Sequence, residues 1–339
     1  MSKVFVIPDI HLKPWILAGA EEYIDSGSYD AIVMLGDLVD DWDQQANLGL
    51  YEETLSAVIN FIKRHDNVLY CYGNHDVSYI WQTLETGYSS AARETVLKGL
   101  DEIKKALPKE NIAFIHRIDN VLFSHAGLTE VFVKNFFPNF EGSFNELLKQ
   151  INESSWEKMW CDASPIWIRP QDGYHRLYPE GFLQVVGHTP VKKTDYFAGL
   201  LTVDNFSTYQ NGDPIGDQRF VWVDTEYQQW GFTDKGDVQE SPKMSLLDIR
   251  NYKKGDWVLF KLKKRMSDEE EYHEGKVEII DRYPGGYASI DIMCKDVFFK
   301  HISLDCVVEK MTIGFSGDSC VLPPRWESTH GQIVEREET

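Results

Sequence analysis

Positive charge is scarce in this 339-residue chain: 34 Lys and Arg stand against 54 Asp and Glu, a formal net charge of −20. A surface this acidic repels polyanions and offers no counterion-release gain to a long nucleic acid, which is therefore disfavoured as a partner. Long apolar runs are also missing. No stretch approaches the ~18 uninterrupted apolar residues of a membrane span, and the run before Pro8 is too short for a signal-peptide core. A soluble, cytoplasmic protein without a membrane partner is expected. Cysteine is sparse: Cys71, Cys161, Cys294, Cys306 and Cys320 are odd in number and lack a C-x-x-C spacing. That pattern excludes a zinc knuckle or a disulfide frame and fits a reducing compartment. Internal repeats are absent.

The chain does have the means to build a core. It is 42% hydrophobic and 13% aromatic, and its length suggests two domains at about 150 residues each. Apolar strand patterns alternate with helical ones over residues 1–235, the signature of an α/β layer fold. Strands are expected at Val4–Pro8, Asp30–Leu35, Asn67–Tyr72, Val121–Ser124, Phe182–Val186 and Leu200–Phe206, with a hairpin over Arg219–Gly231. Leu55, Val58, Ile59 and Ile62 form a helical stripe, and a second helix spans about Ala91–Leu107. Residues 130–180 are aromatic-rich and irregular, and read as a helical cap beside a site. Residues 236–250 are polar, with Gly, Ser and Pro, and read as a linker. Short strands separated by Gly-rich or acidic turns fill 251–325 and suggest a small all-β, SH3-like barrel; residues 326–339 read as a flexible tail.

Five strands share one feature: a polar residue able to bind metal waits at the carboxyl end. Asp9-Ile10-His11 ends the first, Gly36-Asp37-Leu38-Val39-Asp40 the second, and Gly73-Asn74-His75-Asp76 the third. His125 and His188, each beside a glycine, end the fourth and fifth. In α/β sheets ligands bind outside the carboxyl ends of strands, so these segments converge on one crevice. Two divalent cations about 3.5–4 Å apart clamp the attacking and leaving oxygens of a phosphoryl displacement. A carboxylate must bridge them, with imidazoles and an amide oxygen completing the shells. This mixed nitrogen and oxygen set suits Mn, Fe or Zn, with Mn preferred, over calcium or an all-oxygen magnesium cage. Singly, Asp-x-His arises by chance and Gly-Asn-His-Asp passes for a turn. In this order, all at strand ends, coincidence is a poor account.

Together D-x-H, G-D-x-V-D, G-N-H-D, H-A-G and G-H-T-P resemble the calcineurin-like metallophosphoesterases, over roughly residues 3–225. The resemblance is to the phosphoprotein-phosphatase branch, with its bacterial and phage serine/threonine phosphatases. It implies a β-sandwich flanked by helices. Asp9, His11 and a bridging Asp37 would hold one metal ion, and Asp37, Asn74, His125 and His188 the other. It further implies that His75 protonates the leaving alkoxide and that Asp40 orients His75.

The chain departs from the family where the substrate phosphate is gripped. Asp41 stands where the family has arginine after the second aspartate, and Tyr72 where phage-type members often have arginine before G-N-H. Arg169, in a Trp-x-Arg segment, is the remaining candidate, with a lesser case for His175 and Arg176 through the cap. Asp204 is either a neighbour that orients a ligand or an ordinary loop start. In the C-terminal unit Trp257, Phe260, Phe298 and Phe299 read as core, and Lys261, Lys263, Lys264 and Arg265 as a small basic patch, either a contact for an acidic partner or, more ordinarily, a solvated strand end. The expected activity is hydrolysis of phosphoserine or phosphothreonine in proteins by a metal-bridging hydroxide, without a covalent intermediate. The alternatives are hydrolysis of a diadenosine polyphosphate or other nucleotide, and a metal-dependent phosphodiesterase. A degenerate, non-enzymatic scaffold would have lost ligands, and none is missing here.

Overall fold

The strand Lys3–Ile7 (β1) is apolar at every position from Val4 to Ile7, and all four are buried. A strand covered on both faces needs no polar alternation, and the fold supplies both covers. The computed structural model describes residues 2–172, 175–234, 238–240, 252–263, 270–283, 287–294, 297–302, 306–311, 315–316 and 319–320. In chain order, β1 is followed by α1 (Trp15–Ser26), β2 (Ala31–Met34), α2 (Leu48–Arg64), β3 (Val68–Cys71), α3 (Asn74–Trp81), α4 (Arg93–Ala106) and β4 (Ile112–Ala113). Then come β5 (Ile115–Ile118), β6 (Val121–Ser124), α5 (Glu130–Phe136), α6 (Phe144–Asn152), α7 (Trp156–Met159) and β7 (Leu183–Val186). The strands β8 (Asp195–Phe197), β9 (Leu200–Thr202), β10 (Val221–Asp224), β11 (Gln229–Phe232) and β12 (Val238–Glu240) complete this part.

Two sheets form a sandwich, ordered β12-β11-β10-β1-β2-β3-β4 and β5-β6-β7-β9-β8. Strands β1 to β4 run parallel, as do β6, β7 and β9. Side chains alternate across a strand, and the alternation decides what β1 touches. Val4 and Val6 join Val33, Leu35, Phe123, Val185 and Leu201 between the sheets. Phe5 and Ile7 face the other way, onto Ile16 of α1, Val58 and Phe61 of α2 and Leu100 of α4. On the far face of the second sheet, Leu122 packs with Phe132, Leu147 and Ile151 of α5 and α6. The mixed α/β architecture read from the sequence is therefore present, with helices on both outer faces and helices in the 130–180 segment. No helix among the described residues is long and apolar enough to cross a membrane.

Beyond residue 252, β13 (Trp257–Lys263), β14 (Glu270–Tyr283), β15 (Tyr287–Cys294), β16 (Val297–Ile302) and β17 (Val307–Met311) make an all-antiparallel sheet ordered β16-β15-β14-β13-β17. The expected closed barrel is not what these strands form. Closure requires the two edge strands to pair, and among the described residues β16 and β17 are separate edges of an open sheet. Its apolar face, with Val258, Phe260, Val277, Ile290 and Ile292, is continued by Phe197 of β8, so the sheet rests on the sandwich. Phe260 is core and Phe299 packs against it, as expected, while Trp257 is half-buried. Lys261 pairs with Glu270 at 2.8 Å; Lys264, Arg265 and the side chains of Lys263 and Phe298 lie outside the described residues. β12 lies in the stretch read as a linker and extends the first sheet. Residues 241–251 and the tail at 326–339 lie outside the description.

Candidate metal centre

β1, β2, β3, β6 and β7 end at one edge of the sandwich, and each is followed within a few residues by a buried polar side chain. Asp9 is 1% exposed, Asp37 2%, Asn74 2%, His125 0% and His188 7%. His11, Asp37, Asp40 and His188 all have left-handed backbones, with φ of 44°, 46°, 67° and 62°. Such a conformation costs a non-glycine residue on the order of 1–3 kcal/mol and persists only where the surroundings impose it. Here the amides of Ile10 and His11 both donate to the Asp37 carbonyl, at 3.0 and 2.8 Å, locking the first turn onto the second. Two glycines are required by close approach. A Cβ on Gly73 would overlap the Asp37 carboxylate, and one on Gly187 would overlap that of Asp9.

Hydrogen bonds to carbonyl oxygens fix the histidine tautomers, because a carbonyl accepts and the ring nitrogen facing it must donate. His125 Nδ1 donates to Leu35 O at 2.9 Å, His11 Nδ1 to Asp40 O at 2.8 Å and His188 Nε2 to Trp167 O at 3.0 Å. In the neutral rings, His125 Nε2, His11 Nε2 and His188 Nδ1 are then lone pairs, and they point at other lone pairs. His125 Nε2 lies 2.9 Å from Asn74 Oδ1, 3.0 Å from His188 Nδ1 and 3.2 Å from Asp37 Oδ2. His11 Nε2 lies 3.6 Å from Asp37 Oδ2 and 3.9 Å from Asp9 Oδ2. Acceptors facing acceptors repel unless protons or cations stand between them. Asp9 Oδ1 is moreover buried without a hydrogen-bond partner, a costly state for a carboxylate oxygen. The donor set thus fits two divalent ions sharing Asp37, with His11 and Asp9 on one side and Asn74, His125 and His188 on the other. The geometry independently groups His11, Asp37 and His75, and Asp37, His125 and His188, each with ligand atoms within 4.8 Å.

The charges agree. Burial and the neighbouring Asp204 push the Asp9 carboxyl well up. Burial acts on Asp37 in the same direction, but His125, His75 and His11 outweigh it and hold that carboxyl far below its usual range. Burial also opposes a charge on His125, yet Asp37 and Asp9 draw its pKa up to about 9. Without cations, Asp9 and His125 are thus drawn toward their protonated forms, while burial pushes His11 and His188 down. Asp204 is 1% exposed, accepts the Ser207 hydroxyl at 2.7 Å and acts electrostatically on Asp9 and His11. Of its two readings, the site neighbour is the one this geometry favours.

His75, the second residue of α3, has a carboxylate partner of its own. Its Nδ1 lies 3.1 Å from Asp40 Oδ2, while Asp40 Oδ1 accepts the hydroxyls of Tyr51 and Tyr79 at 2.7 and 2.6 Å. Asp40 is thus a fully engaged carboxylate, and His75 Nδ1 is its third donor. Burial opposes the imidazolium, but Asp37 and Asp40 outweigh it and raise His75 to about 9 in the metal-free site. Such a group, next to the ligand set, is equipped to give a proton to a leaving oxygen.

Arg169 places Nη1 2.8 Å from the His188 carbonyl and 2.9 Å from Thr189 Oγ1, which fixes a guanidinium beside a ligand. Arg176 is buried and paired with Glu180, and His175 is half-buried. Tyr72 is packed between Tyr70 and Phe114. Asp41 does not stand alone: the buried Lys13 donates to it at 2.7 Å and to the His11 carbonyl at 3.1 Å.

Sequence reasoning missed Lys13, Tyr51 and Tyr79, whose partners are distant along the chain and leave no local signal. It also missed Asp76, for which a signal exists: the acidic residue at the third position of a helix that begins on a glycine cap. Asp76 is fully buried and accepts the amides of Asp37 and Gly73 with Oδ2 and of Leu38 with Oδ1, each at 2.9 Å. It ties the second ligand loop to the third. Asp76→Ala should strand three buried amides and cost about 3 kcal/mol or more, taking each charge-assisted bond at the low end of ~1.5–3 kcal/mol and allowing for relaxation. Urea unfolding of the metal-free chain measures this, and a loss below about 1 kcal/mol, roughly the worth of a single bond, would remove Asp76 from that role.

The chain matches the calcineurin-like phosphoesterase family over residues 2–215, well over half its length. No curated protein matches it. Among solved structures, an archaeal phosphodiesterase aligns with 70% of this chain and 99% of its own at 11% identity and a TM-score of 0.30. A metallophosphoesterase from Sphaerobacter thermophilus aligns with 70% of this chain and 86% of its own at 15% identity and a TM-score of 0.32. Similarities that low add nothing to the argument from the site. The family match and the converging donors agree: this chain belongs to the calcineurin-like phosphoesterases.

Proposed function

We propose that the chain hydrolyses phosphomonoesters with two divalent ions, Mn²⁺ foremost, held by Asp9, His11, Asp37, Asn74, His125 and His188. The observation that carries this is the set of lone pairs aimed at one another around His125 and Asp37. When bound, the ions supply an activated water and the positive charge that a phosphoryl displacement requires. The chain's own residues do the rest. Asp37, whose Oδ2 lies near both His125 Nε2 and His11 Nε2, would be shared between the two positions. His75, held by Asp40, gives its Nε2 proton to the leaving oxygen. Arg169, anchored on the His188 carbonyl, faces the non-bridging oxygens of the phosphoryl group.

Two leaving groups compete. The motif resemblance favours a serine or threonine side chain in a phosphoprotein. A nucleotide is favoured by a specific observation: Trp42, half-exposed two residues beyond Asp40, with its indole N–H tied to Thr208 O. The phosphate grip does not separate them, since Asp41 and Tyr72 replace the family's arginines in either case. The reaction class is tested with Mn²⁺-loaded protein on p-nitrophenyl phosphate beside bis-p-nitrophenyl phosphate, with Asp37→Asn as the blank. Faster turnover of the monoester supports the proposal; preference for the diester would replace it with a phosphodiesterase.

A further inference from the structure

We propose that Trp42 is a stacking platform for the substrate's leaving group, and that this group is a nucleoside. The inference rests on the assignment of His75 as the donor to the leaving oxygen and deepens the nucleotide reading above.

The location comes first. His75 is bonded to Asp40, and Trp42 follows Asp40 by two residues, a span of at most about 7 Å of extended chain. The Asp40 carbonyl also accepts His11 Nδ1 at 2.8 Å, and the His11 and His75 rings lie 5.1 Å apart, so Trp42 belongs to the loop that borders both histidines.

The indole is also fixed. Trp42 is 50% exposed, a large apolar area for a rim residue, yet it is not a loose side chain. Its Nε1–H donates to Thr208 O at 2.9 Å, and its backbone amide donates to Asp41 Oδ1 at 2.8 Å. A second tie joins the same loops, Gln210 Nε2 donating to Asp43 Oδ2 at 3.1 Å. Asp40 and Asp43, on either side of Trp42, have left-handed backbones, with φ of 67° and 58°, so the loop is held in a strained form around the ring. Tyr209, next to the carbonyl that holds the indole, is 51% exposed and adds a second aromatic to this rim. An aromatic ring that is both preorganised and solvent-facing binds a flat partner at low entropic cost.

Charge narrows the class. Asp41, Asp43 and Glu85 lie around this side; Asp41 is neutralised by Lys13, and Glu85 acts on His75. Acidic groups on either side of Trp42 in the chain disfavour a second anionic group there. A nucleobase is neutral, flat and apolar on its faces, and every base offers a π-face to stack on indole. A serine or threonine alcohol has nothing flat to offer.

The test uses the full-length, Mn²⁺-loaded protein and two esters with the same primary alcohol chemistry, adenosine 5′-monophosphate and ribose 5-phosphate. The wild type should prefer the nucleotide in kcat/KM by about tenfold, the low end of what base stacking supplies. In Trp42→Ala that ratio should collapse toward unity, and Trp42→Phe should restore most of it. A ratio unchanged in Trp42→Ala would overturn the proposal, as would a phosphoserine peptide turned over better than the nucleotide. If neither ester is hydrolysed, the reaction class proposed above fails separately, and calorimetric binding of adenosine 5′-phosphorothioate decides. Binding weakened about tenfold by Trp42→Ala sustains the platform, and absence of binding to the wild type refutes it.

Discussion

Asp37→Asn should empty both metal positions together. Its Oδ2 lies 3.2 Å from His125 Nε2 and 3.6 Å from His11 Nε2, which places this carboxylate between the two ligand groups. The amide keeps the shape and one oxygen acceptor but removes the negative charge that balances two dications. Losing an oriented outer partner of a ligand already costs ~10–100-fold in metal affinity; losing the shared ligand's charge should cost at least the upper figure. Folding should survive, because the Asp37 backbone, not its side chain, bonds to Asp76, Ile10 and His11. The side chain does accept the His75 amide through Oδ1 at 2.9 Å, and the amide oxygen can take over that bond. Elemental analysis after dialysis and turnover of p-nitrophenyl phosphate check the result together. Full metal content with normal turnover would end the assignment of this site.

The second large effect falls on the proton rather than the metals. His75→Asn should lower kcat by about 10²–10⁴-fold, the usual worth of a positioned general acid, while metal content stays near that of the wild type. The loss should be larger for an alkyl phosphate than for p-nitrophenyl phosphate, because p-nitrophenolate leaves without help. Asp37 and Asp40 stabilise the imidazolium against burial and place His75 near 9 in the metal-free site. The acid form is present below that value, so turnover of alkyl esters should fall as pH rises through it. Bound dications lower the midpoint by repelling the imidazolium. The same basic limb should vanish in His75→Asn. If p-nitrophenyl and alkyl phosphates lose rate equally, or the limb persists, His75 has a structural role only.

Four left-handed residues tie the site to its scaffold. His11, Asp37, Asp40 and His188 each sit in a conformation that an isolated loop would leave. Asp76 and the paired amides of the first two loops hold the first two turns, and the Asp9 carboxylate accepts the His188 amide at 2.9 Å. The protein presents lone pairs already aimed at one another, a repulsion that bound cations would relieve.

Much of this was legible in the residues. Strand and helix positions in the sandwich followed from apolar period and length, because buried parallel strands and amphipathic helices write their surroundings into composition. The donors were legible because each sits at a strand end within a short motif, where local spacing fixes direction. What the residues left unwritten are partnerships across 10 or more positions: Tyr51 and Tyr79 on Asp40, Lys13 on Asp41, Thr208 on Trp42. The open edge of the C-terminal sheet was equally unreadable, since strand patterns specify an apolar face and not whether two edges meet. The sequence by itself determined which chemical groups gather at the sandwich edge, through motifs that carry their own geometry. Only the tertiary structure decided how those groups are charged, tautomerised and surrounded, because such properties come from neighbours that folding, not chain order, supplies.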